Sequence, residues 1–456
     1  MQHAPPASST PEMANRAVTA ATLGTALEWF DFTLYGAVAA TILPKLFFPS
    51  LDPTNALLAS LATFSVGLIA RPLGAIICGY FGDRIGRRNL MLGTVSAMGI
   101  TSVLMGLLPT YAQIGILAPV LLVILRIIQG FALGGESTGG QLMALEHAPA
   151  DRRGKYSGLI GMCAPLSQIV ANAVLLLLSA AMAPAAFESY GWRIPFVASF
   201  VLVLVGIYIR VRVSETPAFV EMKRSAVAKN NRPLRDAFRF HGKTILRMMV
   251  FFCGPTALFY LAVVFTLSYL TNTLGIPKQT GFVLLMIANG CAIVGSIVGG
   301  RISDRVGRKR ALMFASAATF VIMLCYFPLL GTKSFALMAI AMGLLMGFTQ
   351  VQTGIQPVAF AEVFPTNVRY SGSALAFTGA SLFAGGPIPV VATWLLKLGN
   401  GSPWALVALC GTLNILSFVM IAIGPETAGI DMNRLDHADA DVERNESERM
   451  ARGASA

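Results

Sequence analysis

The chain has 456 residues, of which 55% are hydrophobic and only 12% charged, against roughly 25% charged in soluble domains. With a mean hydropathy of +0.68, this excludes a set of water-exposed domains, because the polar surface to cover them is missing. A bilayer tolerates such a composition. The formal charge of +12 sits in short clusters between apolar runs, the pattern by which Lys and Arg mark cytoplasmic loops, and not as a nucleic-acid surface.

In chain order, residues 1–16 form a polar tail with no signal-peptide layout, so the first apolar run is expected to stay as a helix. A membrane helix needs about 20 mostly apolar residues. Twelve runs qualify: 17–43, 55–81, 89–109, 114–145, 154–183, 191–211, 243–272, 280–301, 310–331, 334–362, 369–397 and 402–424. The expectation is an all-α membrane protein with twelve transmembrane helices in two pseudo-symmetric six-helix bundles, 17–213 and 243–424. A cytoplasmic linker, 214–242, joins them, and a cytoplasmic tail, 425–456, follows. Basic clusters fill the loops after helices 2, 4, 6 and 8, while the alternate loops are charge-poor. The positive-inside rule then places both termini in the cytoplasm.

Several chemistries are excluded on the way. GKT at 242–244 resembles the end of a phosphate loop, but Ala237 stands where that loop needs Gly, so no ATP-binding domain is expected. The six cysteines lie in apolar runs without a C-x-x-C pair and read as small buried hydrophobes, with no metal site. His3, His147, His241 and His437 lie near loops or tails and form no catalytic pair, which speaks against a membrane enzyme.

The halves repeat. GYFGDRIGRR at 79–88 matches GRISDRVGRK at 300–309, an offset of 221 residues. Glu146 with Pro149, Arg153 and Tyr156 is echoed by Glu362 with Pro365, Arg369 and Tyr370, and SETP at 214–217 by PET at 425–427. Gly lets helices approach closely and the chain reverse, and Asp can meet the positive N-terminus of a neighbouring helix. The repeat therefore reads as a cytoplasmic gate: Asp83, Arg84 and Arg87 with Glu146 and Glu215 in half one, Asp304, Arg305 and Arg308 with Glu362 and Glu426 in half two.

This loop resembles the hallmark of the major facilitator superfamily. EWFDF at 28–32 with Tyr35-Gly36, RPLG at 71–74, RIIQGF at 126–131 with GGE at 134–136, and GWRIPF at 191–196 are similar to its metabolite:proton symporter family, the carriers of proline and betaine, citrate, shikimate and 2-oxoglutarate. The resemblance implies two six-helix domains around a central cavity and alternating access driven by a proton gradient, with no other cofactor. It implies a small-molecule substrate and a monomer in a bacterial inner membrane. GMCAP at 161–165 lacks the Gly before Pro of drug–proton antiporters.

Ionisable groups at bilayer depth are functional candidates by default. Asp31 is expected to pair with Arg126 across helices 1 and 4 and to carry the proton, with Glu136 and Glu28 as rival carboxylates. A similar Asp–Arg arrangement occurs in the related sugar–proton symporters. Arg71, Arg126 and Arg193 are candidates for a substrate carboxylate, whose geometry guanidinium matches, with Tyr35, Gln129, Asn289 and Gln356 as further contacts. The functional expectation is proton symport of an organic acid. A zwitterionic osmolyte such as proline or betaine stays open, as does drug–proton antiport.

Overall fold

The computed structural model describes residues 28–75, 87–134, 148–201 and 233–430, with positions 26, 77, 141, 142, 145 and 204. Among these residues the regular structure is helical throughout. Half one comprises α1 (28–41), α2 (Pro53–Ala75), α3 (Arg87–Leu107), α4 (Leu117–Gly134), α5 (Arg153–Ala181) and α6 (194–201). Half two comprises α7 (Phe240–Thr273), α8 (Lys278–Val306), α9 (Arg308–Gly331), α10 (Phe335–Ala361), α11 (Val368–Leu398) and α12 (Trp404–Ile423). Among the described residues nine of these, all but α1, α3 and α6, are long and apolar enough to cross a membrane.

Two boundaries differ from expectation. The chain is already helical from Pro233, inside the segment read as linker. The charged repeat at 300–309 is not one loop: α8 continues through Asp304 to Val306 and the chain reverses at Gly307 alone, at φ +97°, which only glycine adopts without strain. Arg305 extends an already formed helix as an exposed residue.

Glycine and serine set the helix packing. A Cβ at Gly130 would lie 1.9 Å from the Gly67 carbonyl oxygen, and one at Gly134 equally close to that of Arg71, so α2 and α4 touch backbone to backbone. The same device joins α8 to α10, where a Cβ at Gly295 would lie 2.1 Å from the Gly347 carbonyl. Gly74, on α2 against Phe131 of α4, and Gly295 are separated by the repeat offset of 221 residues. Between halves, Gly154 meets Gly300, Gly158 meets Ser296, and Gly161 meets Ser296 and Gly354. Lipid offers little hydrophobic drive for helix association, so such close van der Waals contact supplies it.

The halves meet at both ends. Near the Asp304–Arg308 segment, hereafter the charged-loop end, α5 packs on α8 and α10. The Ser157 hydroxyl donates to the Gly354 carbonyl at 2.7 Å and accepts from the Val358 amide at 3.2 Å, entering the α10 ladder beside Pro357, whose missing N–H leaves that ladder incomplete. Toward the opposite end, α1 packs on α7 and α2 on α11. Gly36 fits against Phe64 and Val264, and Ser65 donates to the Gly386 carbonyl. Both half-two helices carry π-helical turns at these contacts, Leu261–Phe265 and Ser381–Gly385, where an extra residue per turn re-aims the chain.

Candidate functional site

Four buried charges gather in half one: Glu28 and Asp31 on α1, Arg71 on α2 and Arg126 on α4, each at most 3% exposed. Three-residue spacing puts Glu28 and Asp31 on one face of α1. Gly67 leaves room for the Arg126 guanidinium, which a Cβ there would meet at 3.1 Å.

The expected direct Asp31–Arg126 pair is not what forms. The ion pair is Arg71 with Glu28, Nη2 to Oε1 at 3.4 Å. Asp31 joins Arg126 through two intermediaries. Arg126 Nη1 donates to Gln129 Oε1, Gln129 Nε2 donates to Ser102 Oγ at 2.8 Å, and Ser102 Oγ donates to Asp31 Oδ2 at 2.5 Å. Every donor in this relay points toward the carboxylate, so each bond polarises the next. The physical reason for the correction is that the Arg126 guanidinium is held over the Tyr35 ring, its carbon 3.8 Å from the centroid, with Nη1 given to Gln129. The Tyr35 hydroxyl is held by Thr63.

Aromatic rings line the cluster. The Arg71 and Arg126 guanidinium carbons lie 4.9 and 5.9 Å from the Phe32 centroid. Phe32 packs on Phe64 and on Tyr260 of half two. A guanidinium over a ring face gains cation–π attraction, but a ring cannot accept all its N–H groups. Arg71 Nε, Arg126 Nε and Arg126 Nη2 have no hydrogen-bond partner, and neither does Asp31 Oδ1. Each such group costs about 1–3 kcal/mol when buried, and together they mark a place built for something more than packing.

Other expected contacts fall elsewhere. Arg193 donates to the Gly106 and Leu108 carbonyls at 3.0 and 2.6 Å. It caps the C-terminus of α3, as basic groups do, and does not reach the cluster. Asn289 donates to the Leu285 carbonyl of its own helix. Gln356 lines a small pocket with Gln141, Pro357 and Ser373. Glu136 lies outside the described residues.

At the charged-loop end, Arg308 grips Glu362 through Nε and Nη2, both at 3.2 Å, and Asp304 through Nη1 at 2.6 Å. Asp304 also accepts from the Gly154 and Lys155 amides, each at 2.8 Å, so a half-two carboxylate caps α5 of half one. Burial pushes the Glu362 carboxyl above its ordinary range, against the pull of Arg308. Among the described residues Glu426 does not pair with an arginine side chain. Its carboxylate accepts the Arg308 and Lys309 amides at 2.8 and 3.1 Å and caps α9. Arg305 makes no ion pair among the described residues. Asp83, Arg84, Glu146, Glu215 and the Arg87 side chain lie outside what the structure describes.

At the far end, Glu188 of the short helix Pro184–Ser189 accepts from Lys278 of half two at 2.8 Å and from Lys45 of half one at 3.3 Å. Lys278 foremost holds its carboxyl below the usual range. Glu188, Ser102, Thr63 and Tyr260 escaped the sequence reading. Hydroxyls within helices are indistinguishable there from ordinary packing groups, and a loop Glu is indistinguishable from a solvated one.

Residues 21–389 match the family profile described as Major Facilitator Superfamily. The inner membrane metabolite transport protein YhjE of Escherichia coli (strain K12) is 35% identical over 416 residues, covering 89% of this chain and 93% of that protein. A glycine betaine/proline/ectoine/pipecolic acid transporter, OusA of Dickeya dadantii (strain 3937), is 34% identical and covers 84% and 77%. The shikimate transporter of Escherichia coli (strain K12) is 33% identical and covers 88% and 92%. Among solved structures, the proton:xylose symporter XylE bound to 6-bromo-6-deoxy-D-glucose superposes with a TM-score of 0.73 at 17% identity, covering 93% of this chain and 98% of that one.

Proposed function

Because the chain belongs to the Major Facilitator Superfamily, we propose that it imports a small organic acid by proton symport, through alternating access. It is a multi-pass membrane transport protein with the twelve-helix fold of that family, not an enzyme. Both termini are assigned to the cytoplasm by the charge asymmetry of the loops.

The observation that carries the reading is the charge balance of the buried cluster. Glu28 and Asp31 against Arg71 and Arg126 sum to zero when Asp31 is ionised. Protonating Asp31 leaves one net positive charge at mid-depth, beside three guanidinium nitrogens (Arg71 Nε, Arg126 Nε and Arg126 Nη2) with neither a hydrogen-bond nor an ion-pair partner. A carboxylate restores neutrality and accepts those bonds bidentately. Proton and acid then each favour the binding of the other, which is what coupling requires. No resident cofactor enters, and one chain suffices as the transporting unit. Glu136 remains a further carboxylate candidate.

The contacts between halves support alternating access. The Asp304–α5 cap with the Ser157 insertion closes one end, and the Glu188–Lys278 bridge with the α1–α7 packing closes the other. Releasing one set at a time exposes the cluster to one side.

The osmolyte reading keeps one supporting feature, the aromatic lining of Phe32, Tyr35, Phe64 and Tyr260, since ring faces attract quaternary ammonium groups. Proton uptake on binding separates the two. Purified protein in weakly buffered solution with a pH indicator takes up about one proton per organic acid bound if the neutral-cluster argument holds. Acid binding without proton uptake, or binding of glycine betaine alone, overturns it.

A further inference from the structure

Beyond the charge cluster, three amide side chains between the halves are wholly buried and incompletely bonded: Gln168 and Asn172 on α5, and Asn289 on α8, each 0% exposed. Gln168 uses neither end of its amide, and the Asn172 and Asn289 carbonyl oxygens also lack partners. An amide sealed from water pays the full desolvation cost of each unbonded group, and replacing Gln168 by Leu would remove it.

The helix geometry brings these groups to one level. On the antiparallel pair α5 and α8, Gly161 meets Ser296. Seven residues onward on α5 is Gln168, and seven back on α8 is Asn289. Seven residues are two turns, about 10 Å of rise, and return to the same face, so Gln168 and Asn289 oppose each other. The Asn172 Nδ2 donates back to the Gln168 carbonyl at 2.7 Å, and the Asn289 Nδ2 to the Leu285 carbonyl at 2.8 Å. Helical side chains lean toward the N-terminus, and α5 and α8 run oppositely, so the two asparagine amides lean toward each other's level. That level lies near the middle of both helices, as Gly67 and Arg126 lie near the middle of α2 and α4.

We propose that this amide layer is a second subsite, which binds the hydroxyl groups of a hydroxylated carboxylic acid whose carboxylate engages Arg71 and Arg126. The inference rests on the organic-acid reading above and narrows it. The layer offers three acceptor oxygens and one amino donor, and no charge. A hydroxyl both donates and accepts, so it satisfies such a set. A quaternary ammonium has no N–H to give, and a primary ammonium would be buried without a counter-charge, which is costly. Simple alkyl acids leave the amides unbonded, the circumstance in which polar sites discriminate most strongly.

The test uses the purified full-length protein and matched probes: malate with succinate, lactate with propionate, shikimate with cyclohex-1-ene-1-carboxylate, and glycine betaine. Dissociation constants are measured by calorimetry for the wild type, Gln168→Leu and Gln168→Asn. At least one hydroxylated acid is expected to bind tenfold or more tightly than its deoxy partner. Gln168→Leu should abolish that preference while leaving the deoxy acid's affinity unchanged, and should raise the melting temperature of the unliganded protein. Gln168→Asn should keep part of the preference, which separates loss of the amide from misfolding. Acids that bind without hydroxyl preference, or a preference that survives in Gln168→Leu, overturn this subsite and leave the organic-acid reading standing. Binding of glycine betaine but of no acid overturns both.

Discussion

The two halves share a repeat and a packing scheme, yet they bury polarity differently. Half one holds Glu28, Asp31, Arg71 and Arg126 deep in the bundle. Half two, among the described residues, holds neutral pairs at comparable depth: Gln352 donates to Thr319 at 3.2 Å, and Ser316 to Asn414 at 2.7 Å. Its charges gather instead at the charged-loop end, around Arg308, Glu362 and Asp304. A buried charge is expensive unless paired, and a duplicated scaffold needs only one set that changes protonation. The difference suggests a division of labour, with coupling in half one and a neutral wall in half two.

The strongest way to break this comparison is Asp31→Asn. Proton-driven accumulation in proteoliposomes should fall by at least about a hundredfold, while counterflow exchange persists, because only the proton-binding step is lost. Unchanged accumulation would remove Asp31 from the coupling. Arg126→Met should follow, weakening acid binding by about a hundredfold, in line with the roughly 2–5 kcal/mol carried by buried charge-assisted bonds. An unchanged dissociation constant would place the carboxylate elsewhere.

Giving half two a charge sharpens the contrast. Gln352→Glu, beside Thr319 and bonded to no cation among the described residues, should destabilise the protein by about 2–4 kcal/mol at pH 8 and less at pH 5, where the carboxyl can protonate. Thermal unfolding in detergent at the two pH values measures it. Ser157→Ala removes the hydroxyl from the α10 ladder and should cost about 1 kcal/mol, seen as a lower melting temperature with the acid dissociation constant kept.

The smallest effect belongs to the far-end bridge. The Glu188 carboxyl is depressed by Lys278 and Lys45, so its contribution is present above the ordinary carboxylate pKa and is lost as pH falls through the depressed value. At neutral pH the bridge is therefore intact. Being partly exposed, it is worth about 0–1 kcal/mol. Glu188→Gln should raise initial uptake by less than about threefold and remove its dependence on external salt. A large loss of uptake would mean that Glu188 does more than bridge.

Much of this was legible in the sequence. The apolar runs, the repeat, and the residues Glu28, Asp31, Arg71 and Arg126 could all be read there, because charge inside an apolar run is rare and conspicuous. Pairing was not legible. Asp31 and Arg126 lie 95 residues apart, and whether they touch depends on where Ser102 and Gln129 stand between them and on the Tyr35 ring beneath the guanidinium. Arg193 looked like a substrate ligand until the α3 carbonyls were seen to occupy it. Glu426 looked like a partner for arginine side chains until the backbone amides of α9 proved closer.

Composition and periodicity by themselves determined the solvent, the helical class and the twofold organisation, because these depend on one-dimensional pattern: the length of apolar runs, the spacing of glycines and the side on which basic residues fall. Only the tertiary structure decided which buried polar groups share bonds and which are left without. Satisfaction of a donor is settled within about 3 Å, a distance that sequence separation does not encode. The repeated charged segment shows both sides of this. Its residues could be counted in the chain, but only the packed bundle assigns Gly300 to helix contact, Gly307 to the reversal and Asp304 to the cap that ties one half to the other.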